Sequence, residues 1–278
     1  MANWGEKMNK QQEKLVEELA WFHDFCEKNN LRYYIIAGTM LGAVRHGGFI
    51  PWDDDIDVGM PRSDYERLKE ISKQKQEGKY VFEFPGEHNP NYPYLLAKIY
   101  NTTTTLVEKQ RYPIKRGIYI DIFPLDGIGN DMEEAKVNYK PFYDNFRLYL
   151  MITGAFLKRR SLSKNLAVLM GRVISPLFVR RKKLSRKIEN LCKRNDFDDC
   201  KLVSNLIGGS GLRGIVPKEY FGKPTLVKFE NLEVYGLENP EPYLKAMYGD
   251  FMKLPPEEKR VSLHDSKECD LEKSYLEK

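Results

Sequence analysis

Four aspartates within five residues, Asp53, Asp54, Asp55 and Asp57, stand directly behind a glycine-rich run from Gly38 to Pro51. No other feature of the chain constrains its fold and chemistry as strongly. If 53–58 is extended, successive side chains alternate faces, so Asp53, Asp55 and Asp57 line one side while Asp54, Ile56 and Val58 line the other. Carboxylates side by side repel one another and resist ionising together. A cation removes that penalty. Mg2+ is the natural choice, with Mn2+ as a substitute, because it takes hard oxygen ligands, usually one or two carboxylates with substrate phosphates and water. An acidic cluster in a polar loop is commonly just solvated, but here Trp52, Ile56, Val58 and Met60 bracket the acids and set them against a core. The Tyr33 to Ala37 segment before them reads as a strand that ends in a Gly38-Thr39 turn.

Periodicity supplies the surrounding elements. Leu15, Leu19, Phe22 and Cys26 recur at helical spacing and predict a helix over 9–29. A short helix is expected from near Leu41, and another from Pro61-Arg62 with Tyr65, Leu68 and Ile71 on its apolar side. Segments 79–84, 94–100, 104–108 and 118–123 read as strands. Within the last of these, Asp121 points away from Ile118, Ile120 and Ile122; it is either a solvent-facing residue of an edge strand or part of a site. Lys98 is costly to bury without an anion, so it either meets one or lies on an exposed edge. Asp126, beyond Pro124, reads as a turn residue or a support for the site. Arg45 and His46 follow the glycine turn, where arginine suits bidentate phosphate binding and the alternative is a solvated loop pair.

Three blocks carry a resemblance: the run from Ala37 to Tyr65, the segment Gly117 to Asp126, and Tyr248 to Pro256 followed by Arg260 and His264. Together they resemble the LicD family of bacterial phosphocholine transferases, to which fukutin-related protein is also similar. The resemblance implies an α+β fold, a nucleotidyltransferase-like mixed β-sheet core flanked by helices, with a basic, mainly helical insertion. It divides the chain into a catalytic core at 1–130, the insertion at 131–200, a part completing the pocket at 201–264 and a charged tail at 265–278. In such a fold Gly38 and Thr39 hold phosphate, and Asp55, Asp57 and Asp121 form the metal set. Asp53 holds a water or acts on the acceptor hydroxyl, and Asp54 is solvated or salt-bridged. Arg45, His46, Lys98, Arg260 and His264 are the expected substrate contacts. The implied reaction moves phosphocholine from CDP-choline onto a hydroxyl of a cell-surface glycan or teichoic acid precursor and releases CMP. Transfer of ethanolamine, ribitol or glycerol phosphate, or nucleotidyl transfer from a nucleoside triphosphate, are the alternatives.

At 278 residues the chain is long enough to bury a substantial core. Its four cysteines show no CxxC or Cys/His spacing, so neither a zinc site nor a disulfide framework is expected. The amino terminus is polar and no run of about 18 apolar residues occurs, so a cytoplasmic location is expected. The formal net charge is +5, yet residues 156–194 hold every one of their cations against the single acid Glu189. This basic segment encloses the largely apolar stretch 166–179, broken by Arg172 and Pro176. Such a pattern suits peripheral contact with the anionic cytoplasmic face of a membrane, and equally a helical insertion packed on the core with its cations solvated. No aromatic interleaving accompanies the charge, so nucleic acid is not an expected partner.

Overall fold

The computed structural model describes residues 8–73, 78–86, 92–109, 114–154, 163, 165–166, 168–170, 180–262 and 266–277. Helix α1 (Lys10–Lys28) opens with a reciprocal cap in which Asn9 Oδ1 accepts from the Gln12 N–H and Gln12 Oε1 accepts from the Asn9 N–H. Its expected stripe, Leu15, Leu19, Phe22 and Cys26, is buried. Strand β1 is only Tyr34–Ile35. The next element is helix α2 (Ala37–His46), which contains the whole Gly38-Thr39 pair. The expected turn is therefore the first turn of a helix that starts four residues before Leu41. Extended Ile36 caps it, and the Met40 N–H returns to the Ile36 carbonyl at 3.1 Å.

Strand β2 (Asp57–Pro61) leads into helix α3 (Arg62–Ser72), then β3 (Tyr80–Glu83), β4 (Ala97–Asn101), β5 (Thr105–Glu108) and β6 (Lys115–Arg116). Strand β7 (Tyr119–Gly129) is much longer than the 118–123 segment expected, and it passes through Pro124. The β4 ladder ends at the pair Ala97↔Ile122, so Pro124 lies where β2 alone flanks the strand, and its missing N–H interrupts no ladder there. Helices α4 (Met132–Thr153) and α5 (Arg181–Cys192) follow, then β8 (Leu202–Ser204), β9 (Ile215–Pro217), the hairpin β10 (Thr225–Phe229) and β11 (Leu232–Gly236), helix α6 (Pro240–Tyr248) and β12 (Ser266–Asp270).

The main sheet runs β1-β2-β7-β4-β3, with β8 beside the far end of β7 and β9 beside β8. Only β2 and β7 are parallel; the other pairings are antiparallel, which makes the sheet mixed, as expected. One apolar core joins α1, α2, the sheet, the β10–β11 hairpin and α6. A second joins α4, α5 and the end of β7. In α5, Leu184, Ile188, Leu191 and Cys192 turn inward while Lys182, Lys183, Arg186 and Lys187 stay exposed. The tail strand β12 pairs with β5, and Tyr275 N–H reaches the Thr104 carbonyl at 3.0 Å. Among the described residues, no helix is long and apolar enough to cross a membrane.

Candidate active site

The parallel register of β2 and β7 sets Asp57 directly beside Asp121, and the antiparallel register of β4 sets Lys98 on the other side of Asp121. Asp121 is thus on an interior strand, not an edge. Asp55, Asp57 and Asp121 each offer a carboxylate oxygen within 4.8 Å of the others, and Asp53, Asp54 and Asp55 form a second such trio. Strict alternation explains part of this. Ile56 and Val58 are fully buried with Asp57 between them half-buried, but regular strand begins only at Asp57. Residues 53–56 approach it as irregular chain leaving the turn at 50–53, which the Asp53 N–H closes on the Ile50 carbonyl at 2.8 Å. Asp54 is accordingly not turned to the opposite side: its carboxylate lies in the second trio and accepts from Ser262 Oγ at 2.7 Å.

Backbone anchors hold the acidic turn in place. Gln11 and Gln12, in the first turn of α1, donate to the carbonyls of Asp54 and Asp53, each at 2.9 Å. Thr39 Oγ1 accepts from the Asp57 N–H at 2.8 Å, so this hydroxyl fixes the carboxylate-bearing strand to the first turn of α2. Gly38 allows a close approach, since a Cβ there would stand 3.1 Å from Asp53 Oδ2 and press on that carboxylate. Ala37 holds φ of 49°, a left-handed conformation uncommon for alanine, and its N–H donates to Tyr243 Oη at 3.2 Å. The opening of α2, the positive end of its dipole, lies against the acids through Gly38 beside Asp53 and Thr39 on Asp57.

Lys98 is 1 % exposed and its Nζ is 2.6 Å from Asp121 Oδ1. Its anion is a residue of the chain, and the exposed-edge alternative does not hold, because β4 lies between β7 and β3. The ammonium also faces the rings of Tyr119 and Tyr94, at 3.2 and 4.3 Å from their centroids. Glu108 ties the box together by accepting from both tyrosine hydroxyls. Burial pushes the Asp121 carboxyl up to about 6, Lys98 opposes the rise, and Asp55 and Glu108 add to it. A divalent cation would complete the compensation that Lys98 begins, and the oxygen-only donor set suits Mg2+.

The remaining candidates occupy the rim. Arg45 and His46 sit in the last turn of α2, roughly 10 Å along the axis from Gly38. Arg45 donates from Nη1 to the Phe251 carbonyl at 2.8 Å and from Nε to His46 Nε2 at 2.9 Å. Burial first, then Arg45, pushes His46 down to about 4, so it is neutral near pH 7. Arg260 donates to the Pro255 carbonyl at 2.9 Å and lies 5.9 Å from the centroid of Trp52, next to the acidic turn. His264 lies outside the described residues. Asp126 is a strand residue, not a turn residue: it is 1 % exposed and takes Arg62 in a two-point ion pair at 2.7 and 2.8 Å.

Several participants carried no sequence signal. Gln11 and Gln12 read as the polar face of a helix, and the Glu108–Tyr94–Tyr119 box depends on pairings that composition does not reveal. Tyr248, which opens the third sequence block, stands near the same acids: burial of its phenol, then Tyr243, Asp57, Asp53 and Asp55, raises it. A cavity of about 40 Å3 beside Asp57 is lined by Ala37, Asn205, Gly208, Ser210 and Tyr243 among others, which brings a second glycine-rich loop to the site. The Gly-Gly-Ser-Gly spelling of 208–211 was the one available clue.

Residues 30–151 match the family model described as LicD/FKTN/FKRP, nucleotidyltransferase domain. The chain is 29 % identical over 260 residues to the lipopolysaccharide cholinephosphotransferase LicD of Haemophilus influenzae, covering 92 % of this chain and 96 % of that one. It is 40 % identical over 45 residues to the human ribitol 5-phosphate transferase FKRP, which is 16 % of this chain and 9 % of that protein. An uncharacterised Rickettsia prowazekii protein, RP689, is 42 % identical over 67 residues, 24 % of this chain and 25 % of the relative. The domain match takes in the acidic turn, Lys98, Asp121 and the strands that bring them together, and the LicD relative aligns along nearly the whole length. Residues 30–151 thus carry a LicD-type nucleotidyltransferase domain, and the chain is similar along nearly its whole length to a LicD enzyme.

Proposed function

We propose that the protein moves an alcohol phosphate, phosphocholine foremost, from a CDP-linked donor to a hydroxyl of a cell-surface glycan, with release of CMP. The observation that carries this reading is the convergence of Asp57 and Asp121 on adjacent strands with Asp55 just before β2. Those three would hold Mg2+, which in such a site neutralises the pyrophosphate and stabilises the departing phosphate. The nucleotide diphosphate lies against the opening turn of α2, where backbone N–H groups and the helix dipole favour anions. Lys98 keeps Asp121 ionised and oriented, and Thr39 holds Asp57 in register. Asp53, in the cluster but outside that trio, accepts the proton of the acceptor hydroxyl. The hydroxyl oxygen bonds to the distal phosphorus while the bond from that phosphorus to the bridging oxygen breaks, and the electron pair leaves with CMP. Arg260 and Trp52 close one side of the pocket.

The choice of phosphocholine is supported by the LicD relative's name; the ribitol phosphate relative keeps other CDP-alcohols in view. The acceptor class is supported in the same way, lipopolysaccharide being the target named for the LicD relative. Peripheral attachment to anionic membrane is supported by the exposed cations of α5 and by exposed Leu166, Leu169 and Met170 at helical spacing. Incubation with CDP-choline, CDP-ribitol and CTP in turn, with Mg2+ or a chelator, tests the reading. CMP released from a CDP-alcohol in the presence of Mg2+ supports it; pyrophosphate released from CTP instead makes the protein a nucleotidyltransferase.

A further inference from the structure

Asp121 and Pro124 are an odd number of residues apart on β7, so their side chains face opposite sides of the sheet. On the Pro124 side, a cavity of about 250 Å3 opens between α3, the end of β3 and α5. Its walls are of two kinds. Phe84, Leu95, Ile188 and Ile207 supply apolar surface, while Lys69, Lys182 and Arg186 bring positive charge. Two other charged residues of the lining are already engaged: Arg62 by Asp126 at 2.7 Å, and Glu189 by Lys193 at 2.6 Å. Lys182 and Arg186 are exposed and form no ion pair among the described residues. Among the described residues, no ion pair therefore compensates the charge of Lys182 and Arg186.

Tyr65 gives the independent sign of a ligand. Its ring lines the cavity, the residue is 3 % exposed, and its hydroxyl has no hydrogen-bond partner among the described residues. A buried donor left without a partner is destabilising, so such a group calls for an acceptor. Burial pushes this phenol up, which keeps the proton on it and makes it a donor. An anion is the acceptor that also answers the lysine and arginine. The apolar walls require that the anion carry a hydrocarbon part. At about 250 Å3 the space falls below the roughly 300–1,000 Å3 of sites for drug-sized ligands, too small for a nucleotide diphosphate. It is enough for a phosphate and the first carbons of a chain.

We propose that this cavity holds the headgroup phosphate and the first chain carbons of an anionic phospholipid, with the phosphate between Lys182, Arg186 and the Tyr65 hydroxyl. The inference rests on the reading that the basic helix α5 faces an anionic membrane, and it turns a diffuse attraction into a defined lipid site behind the catalytic face. Occupancy would fix α5 against α3 and so fix the orientation of the enzyme on the surface.

The test is calorimetric titration of the full chain with dihexanoyl phosphatidic acid below its micelle concentration, beside inorganic phosphate and dihexanoyl glycerol. The short-chain phosphatidic acid is expected to bind at least about tenfold more tightly than either control. Ser185→Phe, which fills the cavity without altering charge, removes that binding, and K182E/R186E, on the exposed face of α5, weakens it by about tenfold or more. Equal affinity for inorganic phosphate, or binding that survives both variants, overturns the proposal, as does absence of binding to the lipid. Flotation with phosphatidylcholine vesicles, with and without phosphatidylglycerol, keeps the two readings apart. If Ser185→Phe still floats with anionic vesicles while losing the soluble lipid, both stand. If wild type floats but binds no soluble lipid, the cavity fails and the membrane reading remains.

Discussion

A single hydroxyl orients the central carboxylate: Thr39 Oγ1 takes the Asp57 N–H at 2.8 Å. Thr39→Val keeps the shape and removes the acceptor, so turnover is expected to fall about 10–100-fold with the fold retained, as when groups supporting metal ligands are lost. Asp55→Asn and Asp57→Asn are expected to abolish turnover, with unchanged circular dichroism. Asp54→Asn should cost far less, since Asp54 lies outside the Asp55–Asp57–Asp121 trio and an amide oxygen can still accept from Ser262 Oγ. Equal loss in all three would contradict the separation of Asp54 from the metal set. Lys98 belongs to a buried pair, where removing one partner costs roughly 3–5 kcal/mol. Lys98→Met should therefore lower the urea midpoint markedly, and adding Asp121→Asn should recover much of the loss; no recovery would mean that the pair is not the reason. At this scale the acids themselves were readable, because their crowding breaks an electrostatic rule. Their partners were not. Lys98 meets Asp121 through strand register, and Gln11 and Gln12 reach Asp53 and Asp54 across some forty residues, which no local pattern records.

Among elements, α1 was legible from its apolar spacing almost to the residue, since a long amphipathic helix repeats its signal many times. The hydrophobic pattern concealed a charged residue within that same helix. Glu18 is 0 % exposed and neither carboxylate oxygen has a hydrogen-bond partner among the described residues. Burial raises its carboxyl well above the usual value, with Lys79 only partly opposing. A raised folded pKa favours the folded state only while the unfolded carboxyl is also protonated; stability is lost as pH rises from there through the folded value. Glu18→Gln is therefore expected to raise the thermal midpoint at pH 8 and to change it little near pH 4. A gain of the same size at both would contradict this. Strand β7 was less legible because Pro124 reads as a stop, and only the short reach of β4 lets the strand continue. Helix α2 began earlier than expected because Gly38-Thr39 spells a turn, whereas Gly42 needs its helix to press on the following loop. A Cβ at Gly42 would come within 2.3 Å of the Gly48 carbonyl oxygen. Gly42→Ala should thus destabilise by about 1–3 kcal/mol, as overpacking does, measured by thermal denaturation.

At the scale of the whole molecule, the site is closed by distant parts of the chain. The Phe251 carbonyl holds Arg45, Arg260 lies over Trp52, and Ser262 reaches Asp54. The third sequence block pointed to this closure, while its contacts depend on packing across some two hundred residues. Charge is divided in the same large-scale way, with acids on the catalytic face and the cations of α5 behind it. Flotation of the purified protein with anionic vesicles should be strong at low salt and weaken steeply as salt rises, because exposed charges are screened within about 10 Å at 0.1 M. Salt-insensitive or absent flotation would contradict attachment through that helix. On the proposed function, Asp57 and Asp121 on paired parallel strands and Asp55 on the segment entering β2 would hold the metal for transfer of an alcohol phosphate. Phosphorus NMR of the protein with CDP-choline, a glycan acceptor and Mg2+ measures it most directly. CMP and a new phosphodiester signal are expected, both lost on chelation and in Asp57→Asn; unchanged product without Mg2+, or in Asp57→Asn, would rule out metal-dependent transfer through these carboxylates.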